Sequence, residues 1–61
     1  MNRRILLDHL RRHECKLLRE GAKHSVYFNS KNRRTSTIPR HSEISNMLAK
    51  KICKDLGIKV I

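Results

Sequence analysis

The sequence predicts a small α+β domain in which a three-stranded antiparallel sheet is covered on one face by two helices. Apolar residues recur at helical spacing near both ends of the chain, and the segment between them is rich in residues that favour strands. With 61 residues, the chain has room for one domain with a small core, spanning residues 1–61. The predicted element order is therefore α-β-β-β-α, an economical way to bury two helical stripes against one sheet face.

The first helix is predicted over residues 3–13, with Asn2 as its N-cap. Charged residues fall largely on the outer face of this segment. The residues predicted to share the buried face are Leu6, Leu7 and Leu10.

Three strands are predicted in the middle of the chain. Residues 15–20 (CKLLRE) form a short, half-apolar run that ends at Gly21, and residues 24–29 (HSVYFN) give the clearest strand signal. Residues 35–38 (TSTI) are β-rich and are followed by Pro39, which cannot donate a ladder hydrogen bond. Alternation along the second strand predicts one face with His24, Val26 and Phe28 and another with Ser25, Tyr27 and Asn29.

The second helix is predicted to begin after Ser45, a good N-cap, and to run to about Leu56. Ser42 is an alternative start one turn earlier. Gly57 followed by Ile58 fits a Schellman motif at the end of this helix. The predicted buried stripe consists of Leu48, Ala49, Ile52, Cys53 and Leu56.

The chain is strongly basic, with fifteen Lys and Arg against five acidic residues and a formal net charge of +10. The cations are spread along the chain, and such a field attracts polyanions, of which nucleic acid is the first candidate. The same positive field would also attract an acidic protein partner. With one Tyr, one Phe and no Trp, the chain has almost no aromatic platform on which bases could stack.

Neither the histidines nor the cysteines form a recognisable metal-binding motif. His9 and His13 are four residues apart, a spacing that permits metal binding on a helix, but no carboxylate or cysteine completes a ligand set. Cys15 and Cys53 fall at apolar positions of their elements, and we interpret them as buried thiols of a reducing cytoplasm. No apolar stretch approaches the length of a membrane span. The sequence therefore predicts a cytoplasmic protein without a metal or other cofactor.

Three segments also have a familiar order and spacing: LLREGAKHSVY (17–27), TSTIPRHSEI (35–44) and LAKKICKDLGI (48–58). Together they resemble the HicA-type toxins of prokaryotic toxin–antitoxin systems, and the resemblance covers nearly the whole chain. These toxins are small mRNA interferases whose fold is similar to the double-stranded RNA-binding domain. The usual turn of the family reads Gly-Ser-His, whereas residues 21–24 read Gly-Ala-Lys-His, with one more residue between Gly21 and His24.

The resemblance implies that the protein cleaves RNA with His24 as its catalytic residue. It also implies a HicB-type antitoxin that binds the toxin and covers His24. RNA carries its own nucleophile in the 2′-hydroxyl group, so cleavage needs proton transfer and cations but, in principle, no metal. The residue pattern alone leaves open whether His24 is a turn residue or a catalytic group. His41 is the next candidate, although we interpret it mainly as a residue that starts the second helix or contacts phosphate. Tyr27 and Lys23 are candidates for assisting proton transfer or binding phosphate. The residues that we expect to contact RNA are Lys23, Arg33, Arg34, Arg40, His41 and Lys50.

Two other functions fit the same composition. A non-catalytic RNA-binding module would use the same basic surface and would bind RNA without cutting it. A DNA-binding regulator is less well supported, because the β-rich middle separates the two helices and nothing resembles a helix-turn-helix.

Overall fold

The computed structural model describes all 61 residues and confirms the predicted α-β-β-β-α order. Helix α1 (Arg3–Arg12) is followed by strands β1 (Cys15–Glu20), β2 (His24–Asn29) and β3 (Thr35–Pro39), and the last element is helix α2 (Asn46–Leu56). The strands form one antiparallel sheet in the order β1-β2-β3. No helix has the length and apolar character needed to cross a membrane.

Helix α1 begins where the sequence predicts. The Oδ1 atom of Asn2 accepts a hydrogen bond from the backbone N–H of Arg4 at 2.8 Å, as expected of an N-cap. The helix ends at Arg12, one residue earlier than predicted, and Glu14 takes a positive φ of 67° in the turn that leads into β1. Leu6, Leu7 and Leu10 face the core as predicted, with Leu7 only partly buried.

Helix α2 also begins where the sequence predicts. The hydroxyl of Ser45 accepts a hydrogen bond from the backbone N–H of Leu48 at 3.2 Å, so Ser45 and not Ser42 is the cap. Ile44 and Ala49 are both buried in the core, as expected for the residue before the cap and the fourth helical residue.

The C-terminal end of α2 is a Schellman motif, as predicted. Gly57 has a φ of 68°, and its N–H donates to the carbonyl oxygen of Lys54 while the N–H of Ile58 donates to that of Cys53, both at 3.0 Å. A Cβ atom on residue 57 would lie 2.6 Å from the side-chain nitrogen of Asn32. The left-handed backbone and this close approach both require glycine.

The helices cover the face of the sheet that contains Ser25, Tyr27 and Asn29, and all three side chains are buried. Val26 and Phe28 lie on the open face and are only half buried. The buried polar groups are satisfied by the helices: the hydroxyl of Ser25 accepts from Arg3 of α1, and Asn29 donates to the end of α2. No buried side-chain nitrogen or oxygen atom lacks a partner.

One apolar core lies between the sheet and the helices. Cys15 and Cys53 belong to it as free, buried thiols, which confirms the prediction from their positions. Burial raises the pKa of both thiols, and the nearness of Cys53 raises that of Cys15 further. Neither is a reactive thiolate at neutral pH. The ten core residues are Leu6, Leu10, Cys15, Tyr27, Ile38, Ile44, Ala49, Ile52, Cys53 and Leu56.

Candidate active site

Two connections meet at one end of the sheet and form a cleft. His24 is the first residue of β2, and it pairs with Pro39, which is the last residue of β3 and not merely the residue after it. Because β2 and β3 are antiparallel, the turn before His24 and the loop after Pro39 are brought side by side. Arg40 and His41, the first residues of that loop, therefore lie near His24.

The cleft has a volume of about 330 Å³ and contains two histidines and two cations. The side chains of His24 and His41 are exposed, and neither forms a hydrogen bond within the chain. No carboxylate lines the cleft. Its six lining residues are Ala22, Lys23, His24, Pro39, Arg40 and His41.

The turn between β1 and β2 fixes the position of His24. The N–H of Gly21 donates to the carbonyl oxygen of His24 at 2.7 Å, and this bond closes the turn around Ala22 and Lys23. Arg40 ties the turn to the loop after β3, because its Nη2 donates to the carbonyl oxygen of Gly21 at 2.6 Å and forms an ion pair with Glu20 at 3.1 Å. Residues 21–24 have one more residue between Gly21 and His24 than a Gly-Ser-His turn, and His24 is nevertheless the first residue of β2.

Arg3 of α1 supports the same region from the covered face of the sheet. Its Nε donates to the carbonyl oxygen of Pro39 at 2.9 Å, and its Nη2 donates to the hydroxyl of Ser25 at 3.0 Å. Pro39 is the strand partner of His24, and Ser25 follows His24 in the chain. Sequence reasoning placed Arg3 only on the outer face of α1, and no local signal indicates these contacts.

The loop that carries His41 is also anchored to the start of α1. The backbone N–H of Arg3 donates to the carbonyl oxygen of Ser42 at 2.9 Å, and the N–H of Ile44 donates to that of Met1 at 2.7 Å. His41 thus lies between Arg40, which is tied to the turn, and Ser42, which is tied to the helix. The loop is held on both sides of this histidine.

The remaining predicted site residues lie elsewhere. Arg33 and Arg34 are in the turn after β2, at the opposite end of the sheet from His24, and a six-residue strand of about 20 Å separates the two ends. Lys50 is exposed on α2 and does not line the cleft. Tyr27 is only 7% exposed, belongs to the core beneath the helices and does not line the cleft.

The other two histidines have structural contacts away from the cleft. The rings of His9 and His13 lie with their centroids 4.4 Å apart, and Nε2 of His9 donates to the carbonyl oxygen of Lys59 at 2.7 Å. No group of three or more His, Cys, Asp or Glu side chains is arranged to hold a metal ion.

Comparison with models of known protein families identifies the family of this chain. A family model described as the HicA toxin of bacterial toxin–antitoxin systems matches residues 3–58. This range includes both helices, the whole sheet and the cleft. No significant match is found among curated proteins or among solved structures.

Proposed function

The chain belongs to the HicA toxin family of bacterial toxin–antitoxin systems, and we propose that it is an endoribonuclease that cleaves mRNA in the cleft of His24 and His41. One observation carries this proposal: two imidazole side chains without partners share a cleft with Lys23 and Arg40. Histidine is the side chain best suited to proton transfer near neutral pH. The site therefore offers a base, an acid and positive charge in one place.

The chemistry uses the 2′-hydroxyl group of RNA as the nucleophile. His24 takes the proton of this hydroxyl, and the oxygen attacks the adjacent phosphorus atom. The bond from phosphorus to the 5′-oxygen breaks, and His41 gives a proton to that oxygen. The products are a 2′,3′-cyclic phosphate and a 5′-hydroxyl end. Every proton and bond is accounted for without a metal ion or another cofactor.

Lys23 and Arg40 provide the positive charge that this reaction requires. The phosphorane-like transition state carries more negative charge than the bound phosphate, so nearby cations stabilise it more than the ground state. Arg40 uses Nη2 to bind Gly21 and Glu20, and its guanidinium has further N–H donors for a phosphate. The internal contacts hold this cation at the edge of the cleft before RNA binds.

In the same proposal, a HicB-type antitoxin neutralises the toxin by covering His24. His24 is exposed at the end of the sheet, where a bound protein has access to it. The net charge of +10 favours rapid association with an acidic antitoxin, which competes with RNA for the basic surface. Expression without the antitoxin is expected to inhibit growth.

The direct test compares the wild-type protein with His24→Ala in a cleavage assay on mRNA in the presence of EDTA. Loss of one proton-transfer group is expected to lower the rate about 10²–10⁴-fold. Because the exposed His24 side chain forms no hydrogen bond in the chain, the circular dichroism spectrum should not change. His13→Ala is the matched control, since it removes an imidazole that lies outside the cleft.

The ends of the RNA fragments provide a second readout, and 2′,3′-cyclic phosphates are expected. Full activity of a folded His24→Ala protein would exclude this histidine from the mechanism. Salt-sensitive binding of RNA by the wild type without any cleavage would instead identify a non-catalytic RNA-binding module.

A further inference from the structure

A second concave surface lies next to the cleft and runs along α1. This surface, here called the arginine groove, has a volume of about 470 Å³. Four arginines line it, and its only apolar lining residue is Leu7. Arg40 lines both the groove and the cleft, so the two are continuous. The four arginines are Arg3, Arg4, Arg11 and Arg40.

We propose that the arginine groove binds phosphate groups of the RNA strand next to the phosphate that is cleaved. This inference rests on the proposed function, because it assumes that the scissile phosphate lies at His24. It assigns a binding role to Arg3, Arg4 and Arg11, which sequence reasoning did not include among the RNA contacts.

The positions of the arginines form a path that leads away from the cleft. Arg3 lies next to the cleft, where it donates a hydrogen bond to the backbone of Pro39, one of the cleft residues. Arg4, Leu7 and Arg11 have the spacing of one helix face, and Arg11 lies about 10 Å further along the axis than Arg4. A strand that leaves His24 past Arg40 therefore encounters guanidinium groups along α1.

The groove is only partly neutralised by the protein itself. Arg11 forms an ion pair with Asp8 at 3.7 Å and Arg40 forms one with Glu20 at 3.1 Å, whereas Arg3 and Arg4 form none. Arg3 uses Nε and Nη2 for internal hydrogen bonds but leaves Nη1 without a partner. No acidic residue lines the groove. Mutual repulsion of these guanidinium groups is relieved when phosphates bind between them.

The lining favours a phosphate backbone over a protein surface. The hot spots of protein interfaces combine Arg with the aromatic residues Trp and Tyr, whereas the groove contains no aromatic residue and only one apolar residue, Leu7. Guanidinium groups match the geometry of phosphate oxygens and bind them in a bidentate manner. Such contacts position a strand without reading its bases, so the groove is expected to bind RNA of any sequence.

The test measures binding of a single-stranded RNA oligonucleotide with 2′-O-methyl groups at every position, which removes the nucleophile. Fluorescence anisotropy gives the affinity at a series of salt concentrations for the wild type, Arg4→Gln, Arg11→Gln and the double variant. Arg19→Gln is the matched control, because Arg19 is exposed on β1 and lines neither the groove nor the cleft. Circular dichroism checks that each variant is folded.

Each groove substitution is expected to reduce the slope of log affinity against log salt by about 0.7. Between about 50 and about 200 mM salt, the wild type should then lose about sevenfold more affinity than the double variant. Arg19→Gln should keep the wild-type slope. Unchanged slopes in the groove variants, or the same change in Arg19→Gln, would overturn the proposal.

Together with the cleavage assay and a measurement of antitoxin binding, the anisotropy data separate this proposal from the proposed function. If the groove variants show the expected smaller slopes but the wild-type protein cleaves no RNA, the groove binds phosphate as proposed and the nuclease activity is refuted. Undiminished RNA binding by the double variant, combined with weaker binding to an acidic antitoxin, refutes the proposal and assigns the groove to a protein partner.

Discussion

Arg3, at the start of α1, donates a hydrogen bond from Nε to the carbonyl oxygen of Pro39, 36 residues further along the chain, at 2.9 Å. The same guanidinium donates from Nη2 to the hydroxyl of Ser25 at 3.0 Å. Because Pro39 pairs with His24 and Ser25 follows it, one side chain fixes both strands at the candidate active site. The same pair of hydrogen bonds thus supports both the packing of α1 on the sheet and the cleft.

Arg3→Lys is expected to keep the charge but lose this arrangement, because one ammonium group cannot reproduce the planar fork of the guanidinium. The free energy of unfolding should fall by about 1–3 kcal/mol, and Tm by roughly 4–8 °C for each kcal/mol. The rate of RNA cleavage by the folded protein should fall as well, since the strands around His24 are less firmly held. Thermal unfolding and single-turnover kinetics measure the two effects.

Arg19→Lys is the matched control for this substitution. Arg19 is exposed on β1 and lines neither the groove nor the cleft. An Arg3→Lys protein as stable and as active as Arg19→Lys would show that the contacts to Pro39 and Ser25 are dispensable.

Asn29 connects the end of β2 to the end of α2. It is 3% exposed, its Nδ2 donates to the carbonyl oxygen of Leu56 at 2.9 Å, and its Oδ1 accepts from the N–H of Lys31 at 2.9 Å. Asn29→Ala removes both bonds and leaves the N–H of Lys31 without this partner. The free energy of unfolding, measured by denaturant titration, should fall by about 1–3 kcal/mol.

Asn32→Ala gives the comparison for this prediction. The side chain of Asn32 donates to the same Leu56 carbonyl at 3.0 Å, but Asn32 is exposed to solvent. Asn32→Ala should therefore lower the free energy of unfolding less than Asn29→Ala does, because water can replace the hydrogen bonds of Asn32. Equal effects of the two substitutions would contradict the importance of burial at Asn29.

Local signals were sufficient to predict the elements of this fold. Asn2 and Ser45 supply side-chain acceptors at the starts of the two helices, and Gly57 takes the left-handed φ at the end of α2. Each of these roles involves only residues that are close in the sequence. The period of two in residues 24–29 separated the two faces of β2 correctly, but it could not show which face the helices cover. Each face carries apolar side chains, so hydrophobicity alone does not choose between them.

Long-range contacts determine the covered face and complete the candidate site. Ser25 and Asn29 can be buried on this face because Arg3 donates to the hydroxyl of Ser25 and the end of α2 accepts from Asn29. These partners are 22 and 27 residues away, beyond the reach of any local pattern. His24 was identified from a family resemblance, whereas its nearness to His41 follows from the pairing of β2 with β3.

Acid should destabilise the protein partly through Asp55 on α2. A hydrogen bond from Lys51, at 2.9 Å, lowers the pKa of Asp55 below its usual value, and a weaker one from Ser36 acts in the same direction. A carboxyl group whose pKa is lower in the folded state stabilises the fold at neutral pH, and this contribution is lost as the pH falls through the folded-state value. Stability should therefore decrease below about pH 4.

Asp55→Asn should make the stability less dependent on pH in this acidic range, as measured by thermal unfolding at a series of pH values. Lys51→Gln provides the complementary measurement, because it should raise the pKa of Asp55 towards its usual value in an NMR titration. An Asp55 pKa that does not respond to loss of Lys51 would contradict the assigned cause.

His41 gives the sharpest test of the proposed division of roles within the cleft. A base that must be unprotonated and an acid that must be protonated produce a bell-shaped dependence of the cleavage rate on pH. If His41 is the acid, His41→Ala should lower the rate about 10²–10⁴-fold and abolish the decline on the alkaline side, while the decline on the acidic side remains. A residue that only contacts phosphate would change KM and leave the shape of the profile intact. An RNA in which sulfur replaces the bridging 5′-oxygen loses a thiolate when the P–S bond breaks, and this leaving group needs no proton from the enzyme. Such a substrate should restore most of the activity of His41→Ala but none of that of His24→Ala.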